Sequence, residues 1–339
     1  MANILIDSNV FQKLYGYYKS KNNNDNVIDI EKLYTELLQN DNMVSVPVHC
    51  IYEIFSKPFY NNQLKNLFYF MLEAKINILT LSEGNPCIFQ YSIDDVEELN
   101  IKKTLNELLK TKIKYEQSEL KEYMRYTVFV IKYVIVNHLK LKLYDNNLCE
   151  TNLDKIVLSL FDDNKSHLEN IFNNFVLKEL NEGYINNNAK EKVKTFFVEF
   201  CGKVFDEVYS NIKYANPFIN DILDAEQQEL YKFSNKLEYL KNKLQQVEKR
   251  YNINLLENIN DLYFKELMSL GYPINFVKYL LYVLNKLIRN AHFDKNDTID
   301  CSLFLYNNQD FIITFDTSVC CFLEKEHQEN YCFINKFKK

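Results

Sequence analysis

Residues 3–11 read NILIDSNVF. Asn3–Ile6 is a short apolar run that stops abruptly at Asp7, the form of a buried strand bounded by a polar residue. Behind it the period changes. Val10, Phe11, Leu14, Tyr17 and Tyr18 recur at helical spacing, so a helix is predicted with Asp7 or Ser8 as its cap. The pattern then repeats. A helix is predicted over 30–38, and Met43–Val48 (MVSVPV) is a second β-rich run with Pro47 near its end, where a missing N–H is tolerated. Helices over 49–56, carrying Glu53, and over 63–73 lead to a third strand, Ile76–Leu81 (INILTL). Strands alternating with helices imply right-handed crossovers and a parallel sheet.

The alternation then stops. From about Asp94 to Asn290 the chain reads as helix, with segments over 97–124, 153–180 and 189–212. Within 225–251 the apolar positions Leu230, Phe233, Leu237, Leu240, Leu244, Val247 and Tyr251 follow a 3-4 spacing. That is the heptad seam of a coiled coil or a long antiparallel hairpin. The seam is read as packing inside the helical region, with self-association and a protein partner as alternatives. The charged residues around it, Lys232, Lys236, Lys241, Lys243 and Lys249 against Glu226, Glu229, Glu238 and Glu248, read as a solvated face. Pro273 starts a further helix over 274–289. After Asp294 the α/β pattern returns: a short helix over 301–307, a strand over 310–314 (DFIIT) running into Phe315-Asp316, and an edge strand over 331–334. The expected organisation is one α/β domain in two parts, 1–84 and 291–339, interrupted by an all-helical insertion over 85–290.

Composition narrows the function classes. Of 339 residues 47% are hydrophobic and 15% aromatic, enough for a sizeable core. A net charge of −6 excludes a globally basic nucleic-acid binder but not a local basic groove. The eight cysteines form no C-x-x-C pair and no zinc-type cluster with histidine, as expected of reduced thiols in a cytoplasmic protein. The N-terminus lacks the basic flank of a signal peptide. The most apolar run, 126–136, contains Lys132 and is too short to span a bilayer. No P-loop, G-x-G-x-x-G, H-E-x-x-H or G-x-S-x-G occurs, so the nucleotide, zinc-protease and serine-hydrolase classes lose their usual support.

The acids carry the chemistry. Asp7 follows the first strand directly, Glu53 sits on the helix behind the second, and Asp316 stands one Phe beyond DFIIT. Asp300, or its neighbour Asp297, opens the short helix before that strand. Ligands of open α/β sheets bind outside the carboxyl ends of the strands. Carboxylates converging there repel one another unless a cation neutralises them, and hard oxygen ligands select Mg²⁺ or Mn²⁺. Each acid also has a plainer reading: a helix cap for Asp7 and Asp300, a solvated helix residue for Glu53, a turn residue for Asp316. Arg289, one of only three arginines, and His292 are candidate phosphate contacts, with a capping or surface role as the alternative.

Three stretches, ILIDSNVF, SVPVHCIYEIFS and DCSLFLYNNQDFIITFDTSV, resemble the motifs of PIN-domain ribonucleases in order and in phase with the strands. The resemblance covers 1–84 and 295–335. It implies a PIN-like parallel central sheet flanked by helices, and an acidic metal site of Asp7, Glu53, Asp300 and Asp316. It also implies supporting polar roles for Asn9 and Thr314, and a nucleic-acid substrate, RNA ahead of DNA. The large helical insertion departs from the family pattern. A non-catalytic PIN-like scaffold, with the insertion binding a protein partner, is the rival expectation. A different metal-dependent phosphohydrolase is a third.

Overall fold

The computed structural model describes residues 2–21, 28–38, 40–48, 50–51, 61–82, 85–97, 122, 124–143, 187–291, 300–306 and 309–326. They form a mixed α/β structure in two compact units. One joins Met1–Glu116 to Ile299–Lys339, and the other is Gln117–Thr298. Among the described residues no helix is long and apolar enough to cross a membrane.

The first unit holds a five-stranded sheet. In chain order its elements are β1 (Asn3–Ile6), α1 (Ser8–Ser20), α2 (Ile30–Leu38), β2 (Met43–Pro47), α3 (Asn61–Glu73), β3 (Asn77–Ser82), β4 (Asn85–Phe89) and α4 (Ile93–Glu97). After the second unit come a 3₁₀ turn (Cys301–Leu305) and β5 (Phe311–Ile313). The strand order is β4-β3-β2-β1-β5. β1 pairs in parallel with both β2 and β5, and β2 in parallel with β3. β1, flanked by β2 and β5, is apolar throughout its last three residues, Ile4, Leu5 and Ile6, and all three are buried. A strand covered on both faces needs that composition, and each such side chain contributes about 1.5–3 kcal/mol on burial. Three further bonds fix β5, only three residues long, to β1. Asp7 N–H donates to Ile313 O (3.0 Å), Asp310 N–H to Asn3 O (2.8 Å) and Asn3 N–H to the Asp310 carboxylate (2.8 Å). Helix α1 packs its Phe11, Tyr15 and Tyr18 rings around Phe70 of α3, with centroids 5.8, 5.5 and 4.8 Å away.

The sheet extends further along the chain than the sequence suggests. β4 pairs antiparallel with β3 from Ile78↔Phe89 to Ser82↔Asn85, so residues 85–97 belong to the sheet-bearing unit rather than to the helical insertion. Pro86 disguises the strand. It is tolerated because β4 is an edge. The expected helices over 153–180 and most of 97–124, most of the helix over 49–56, and the strand over 331–334 lie outside the described residues.

The second unit is helical throughout its described residues: α5 (124–143), α6 (Asn187–Ala215), a 3₁₀ turn (Pro217–Ile219), α7 (Asn220–Lys232), α8 (Lys236–Tyr251), α9 (Leu255–Ser269) and α10 (Ile274–Asn290). The heptad segment 225–251 is not one helix. α7 ends at Lys232, Phe233 turns extended (φ −87°, ψ 123°), and Asn235 caps α8 by accepting from Leu237 N–H at 2.9 Å. A Ser-Asn pair offers the backbone a cap in place of another helical turn. Leu230, Leu237, Leu240, Leu244 and Val247 are nevertheless buried within the unit.

The solvated-face expectation also fails for two residues. Glu226 and Lys243 are buried and joined at 3.2 Å. α8 packs against α6, α9 and α10, so its buried arc is wider than a two-helix seam and takes in Tyr239 and Lys243. Glu226 is the hub. Tyr239 donates to it (2.9 Å), Tyr239 and Tyr209 share a hydroxyl bond (2.7 Å), and His138 (3.3 Å) and Lys142 of α5 approach the same carboxylate. Burial works against the charge, but His138, Lys142 and Lys243 outweigh it and hold the Glu226 pKa below the usual carboxylate range.

Candidate functional site

Asp7 stands where β1 hands over to α1. Its backbone is extended (φ −79°, ψ 165°), the conformation of an N-cap, and its side chain is buried. Burying a carboxylate is costly unless donors surround it. Here Oδ1 accepts from Ser8 N–H (2.6 Å) and the Cys50 thiol (3.5 Å). Oδ2 accepts from Asn9 Nδ2 (2.8 Å) and Thr314 Oγ1 (2.7 Å).

Two of these donors tie the end of β1 to the end of β5. The Thr314 hydroxyl, while donating to Asp7, accepts from Asp316 N–H at 2.9 Å. The Asn9 side chain, while donating to Asp7, accepts from Phe315 N–H at 3.1 Å. Thr314 is fully buried and Asn9 half-buried, so both bridges are shielded from competing water. Residues 7–9 and 314–316 are thereby cross-linked outside the carboxyl ends of adjacent parallel strands.

Asp316 caps the helix α11 (Thr317–Lys325), its Oδ1 accepting from Ser318 N–H (2.7 Å) and Val319 N–H (3.0 Å). All of its capping is carried by that one oxygen. Asp300 precedes the 3₁₀ turn with helical backbone angles, and its side chain makes no capping bond, so the plain cap reading is not realised there. Glu53, Asp297 and His292 lie outside the described residues. Arg289, a candidate phosphate contact with a capping or surface role as the alternative, forks onto Glu248 (3.0 and 3.2 Å) and donates to Asn254 Oδ1 (2.9 Å) within the helical unit.

The acidic constellation is therefore described for Asp7 and Asp316, joined through Thr314 and Asn9. Both are oxygen donors of the kind that suits Mg²⁺ or Mn²⁺. Among the described residues no group of three or more His, Cys, Asp or Glu side chains is placed to hold a metal ion. Compared with protein-family models, with curated proteins and with solved structures, the chain matches none.

Cys50 is the participant that sequence reasoning missed. The sequence reading places it with the reduced thiols, and it is buried; none of the six described cysteines is in a disulfide. The signal lay in its place three residues beyond the end of β2, at the same edge of the sheet as Asp7.

Proposed function

We propose that the sheet-bearing unit is a PIN-like, metal-dependent nuclease that hydrolyses phosphodiester bonds, RNA in preference to DNA. The observation that supports it most is a matter of topology. From β1 the chain builds the sheet outward through β2 and β3, and β5 is added on the opposite side of β1. That makes the β1/β5 boundary a switch point, where open α/β sheets form their ligand crevice. Asp7 and Asp316 follow these two strands. Two helices, α1 and α11, also begin there, and their N-terminal dipole ends favour an anionic phosphate.

Asp7, Glu53, Asp300 and Asp316 are the proposed ligands of Mg²⁺ or Mn²⁺, with Asp297 as the alternative to Asp300. Such an ion polarises the phosphodiester and lowers the pKa of bound water. The protein's own part is positional. Asn9 and Thr314 fix the Asp7 carboxylate, and capping fixes Asp316 while leaving Oδ2 outside the cap. The Cys50 contact is the weakest of the four at Asp7, because a thiol is a poor donor, and a cation displaces it at least cost.

A second reading, a non-catalytic scaffold whose helical unit binds a protein partner or a second copy, is favoured by two observations. Asp7 already accepts from four donors, which suits a purely structural carboxylate. At the corner between α6 and α7, Tyr214 is 93% and Phe218 100% exposed, an unusual pair of solvated rings. Cleavage assays on single-stranded RNA and DNA with Mg²⁺ or Mn²⁺ separate the two. The nuclease reading expects RNA cleavage that chelator abolishes and that Asp7→Asn slows by on the order of a hundredfold or more. No cleavage of either polymer favours the scaffold. Activity on mononucleotides alone points to a phosphohydrolase of another kind.

A further inference from the structure

We propose that helix α1 is the strand-binding track of this site. Its stripe of Asn9, Lys13, Gly16 and Ser20 takes the sugar–phosphate backbone of single-stranded RNA, and Lys13 is the phosphate contact beside the carboxylates. The proposal builds on the nuclease reading and adds its substrate surface.

Charge comes first. Residues 8–21 (SNVFQKLYGYYKSK) carry Lys13, Lys19 and Lys21 and no acid, in a chain of net charge −6. A local reversal of sign next to a carboxylate site is what a polyanionic substrate requires. Spacing comes second. Positions 9, 13, 16 and 20 follow the i, i+4, i+7, i+11 rule of one helix face, away from the buried Val10, Phe11 and Leu14. The stripe begins inside the site, because Asn9 touches both Asp7 and Phe315. About 6 Å further along the axis, the Lys13 ammonium lies 5.0 Å from the centre of the Phe315 ring. Phe315 is the residue between Thr314 and Asp316, so a cation is held against the loop that carries the second acid.

Gly16 is the third observation. Glycine inside a helix is destabilising relative to alanine, yet a Cβ built there meets nothing within 4 Å. Among the described residues no protein group accounts for the missing side chain, whereas a ligand backbone passing close over the helix does. Ser20 folds its hydroxyl onto Gly16 O (3.0 Å), which keeps that end of the stripe low. Lys19 lies over Tyr15, and Lys21 lies over Tyr17, Tyr18 and Tyr34, on the flank away from the stripe. The neighbouring acids are there too: Glu73 bonded to Tyr18, and Glu31 and Asp29 by Tyr17. Of the four stripe positions Lys13 is the charged one, and none is an acid.

The test measures fluorescence anisotropy of a labelled single-stranded RNA in chelator, against wild type, Lys13→Glu, Gly16→Leu and, as a control in the helical unit, Lys241→Ala. Both α1 variants should bind about tenfold more weakly or worse. Loss of one phosphate contact should also flatten the salt dependence by about 0.7 in log–log slope. Gly16→Leu should melt no lower than wild type, since leucine is the better helix former. Lys241→Ala should bind normally. Unchanged affinity in both α1 variants overturns the track, as does a wild type that binds no RNA. Cleavage by Asp316→Asn is scored separately. If that variant is inactive while the α1 variants bind normally, the track fails and the nuclease reading stands. If it cleaves normally while the α1 variants bind poorly, the catalytic assignment fails and the track stands.

Discussion

Thr314 and Asp316 show how one side chain serves two loops. The Thr314 hydroxyl donates to a buried carboxylate and accepts from a backbone N–H, so replacing it with isosteric valine removes one of the four donors to Asp7 and takes the acceptor from Asp316 N–H. A buried polar group left without its bond costs about 1–3 kcal/mol. Thr314→Val should accordingly lower the unfolding free energy of the sheet-bearing unit by that amount, read from the urea midpoint and slope by circular dichroism. Asp316 allows a finer separation. Asparagine caps helices about as well as aspartate, whereas alanine costs about 0.5–2 kcal/mol. Asp316→Asn should therefore melt near wild type and Asp316→Ala several degrees lower, with the charge absent from both. Sequence alone marked Asp7 and Asp316, because strand ends followed by polar residues are visible in one dimension, whereas Asn9 and Thr314 were marked only by the resemblance to PIN-domain motifs. It did not mark Cys50, whose bond to Asp7 spans forty-three positions and exists only once β1 and β2 are side by side.

At the scale of elements, β1, β2, β3 and β5 were legible because each is an apolar run with a sharp polar end, and β4 was not, because Pro86 hides it. The break between α7 and α8 was invisible for a different reason: the 3-4 spacing of apolar residues runs straight through it. The same blindness hid the Glu226 cluster, since an ion pair joining three helices has no sequence period. The cluster makes its own prediction. Removing one partner of a buried ion pair typically costs about 3–5 kcal/mol, so Glu226→Ala should unfold the helical unit at markedly lower denaturant. The pH dependence follows from the sign of the shift. Glu226 is held below its ordinary value of 4.5, so its contribution is present above that value and is lost as the pH falls below it. Thermal melts of wild type should therefore drop more steeply below about pH 4.5 than those of Glu226→Gln, which has no charge to lose.

For the molecule as a whole, the two units divide the labour that the chain's length allows. Met1–Glu116 with Ile299–Lys339 carries the sheet and the hydrogen-bonded link between Asp7 and Asp316, and Gln117–Thr298 carries a helical core with its own buried ionic hub. The sheet unit is sewn together from segments some three hundred residues apart by a strand of only three residues, which works because loop-closure entropy grows slowly with length. The division of the chain was legible where α/β alternation gives way to helix and returns, but the second unit begins at Gln117 rather than at residue 85 and ends at Thr298 rather than at residue 290. The central proposal is a cation site at the β1/β5 switch point with Asp7 and Asp316 as its ligands. Titration of Mn²⁺ into wild type and Asp316→Asn, followed by electron paramagnetic resonance of the free ion, tests it most directly. The account predicts saturable binding by wild type and affinity at least about tenfold weaker in the variant; equal binding by both proteins, or none by wild type, contradicts it.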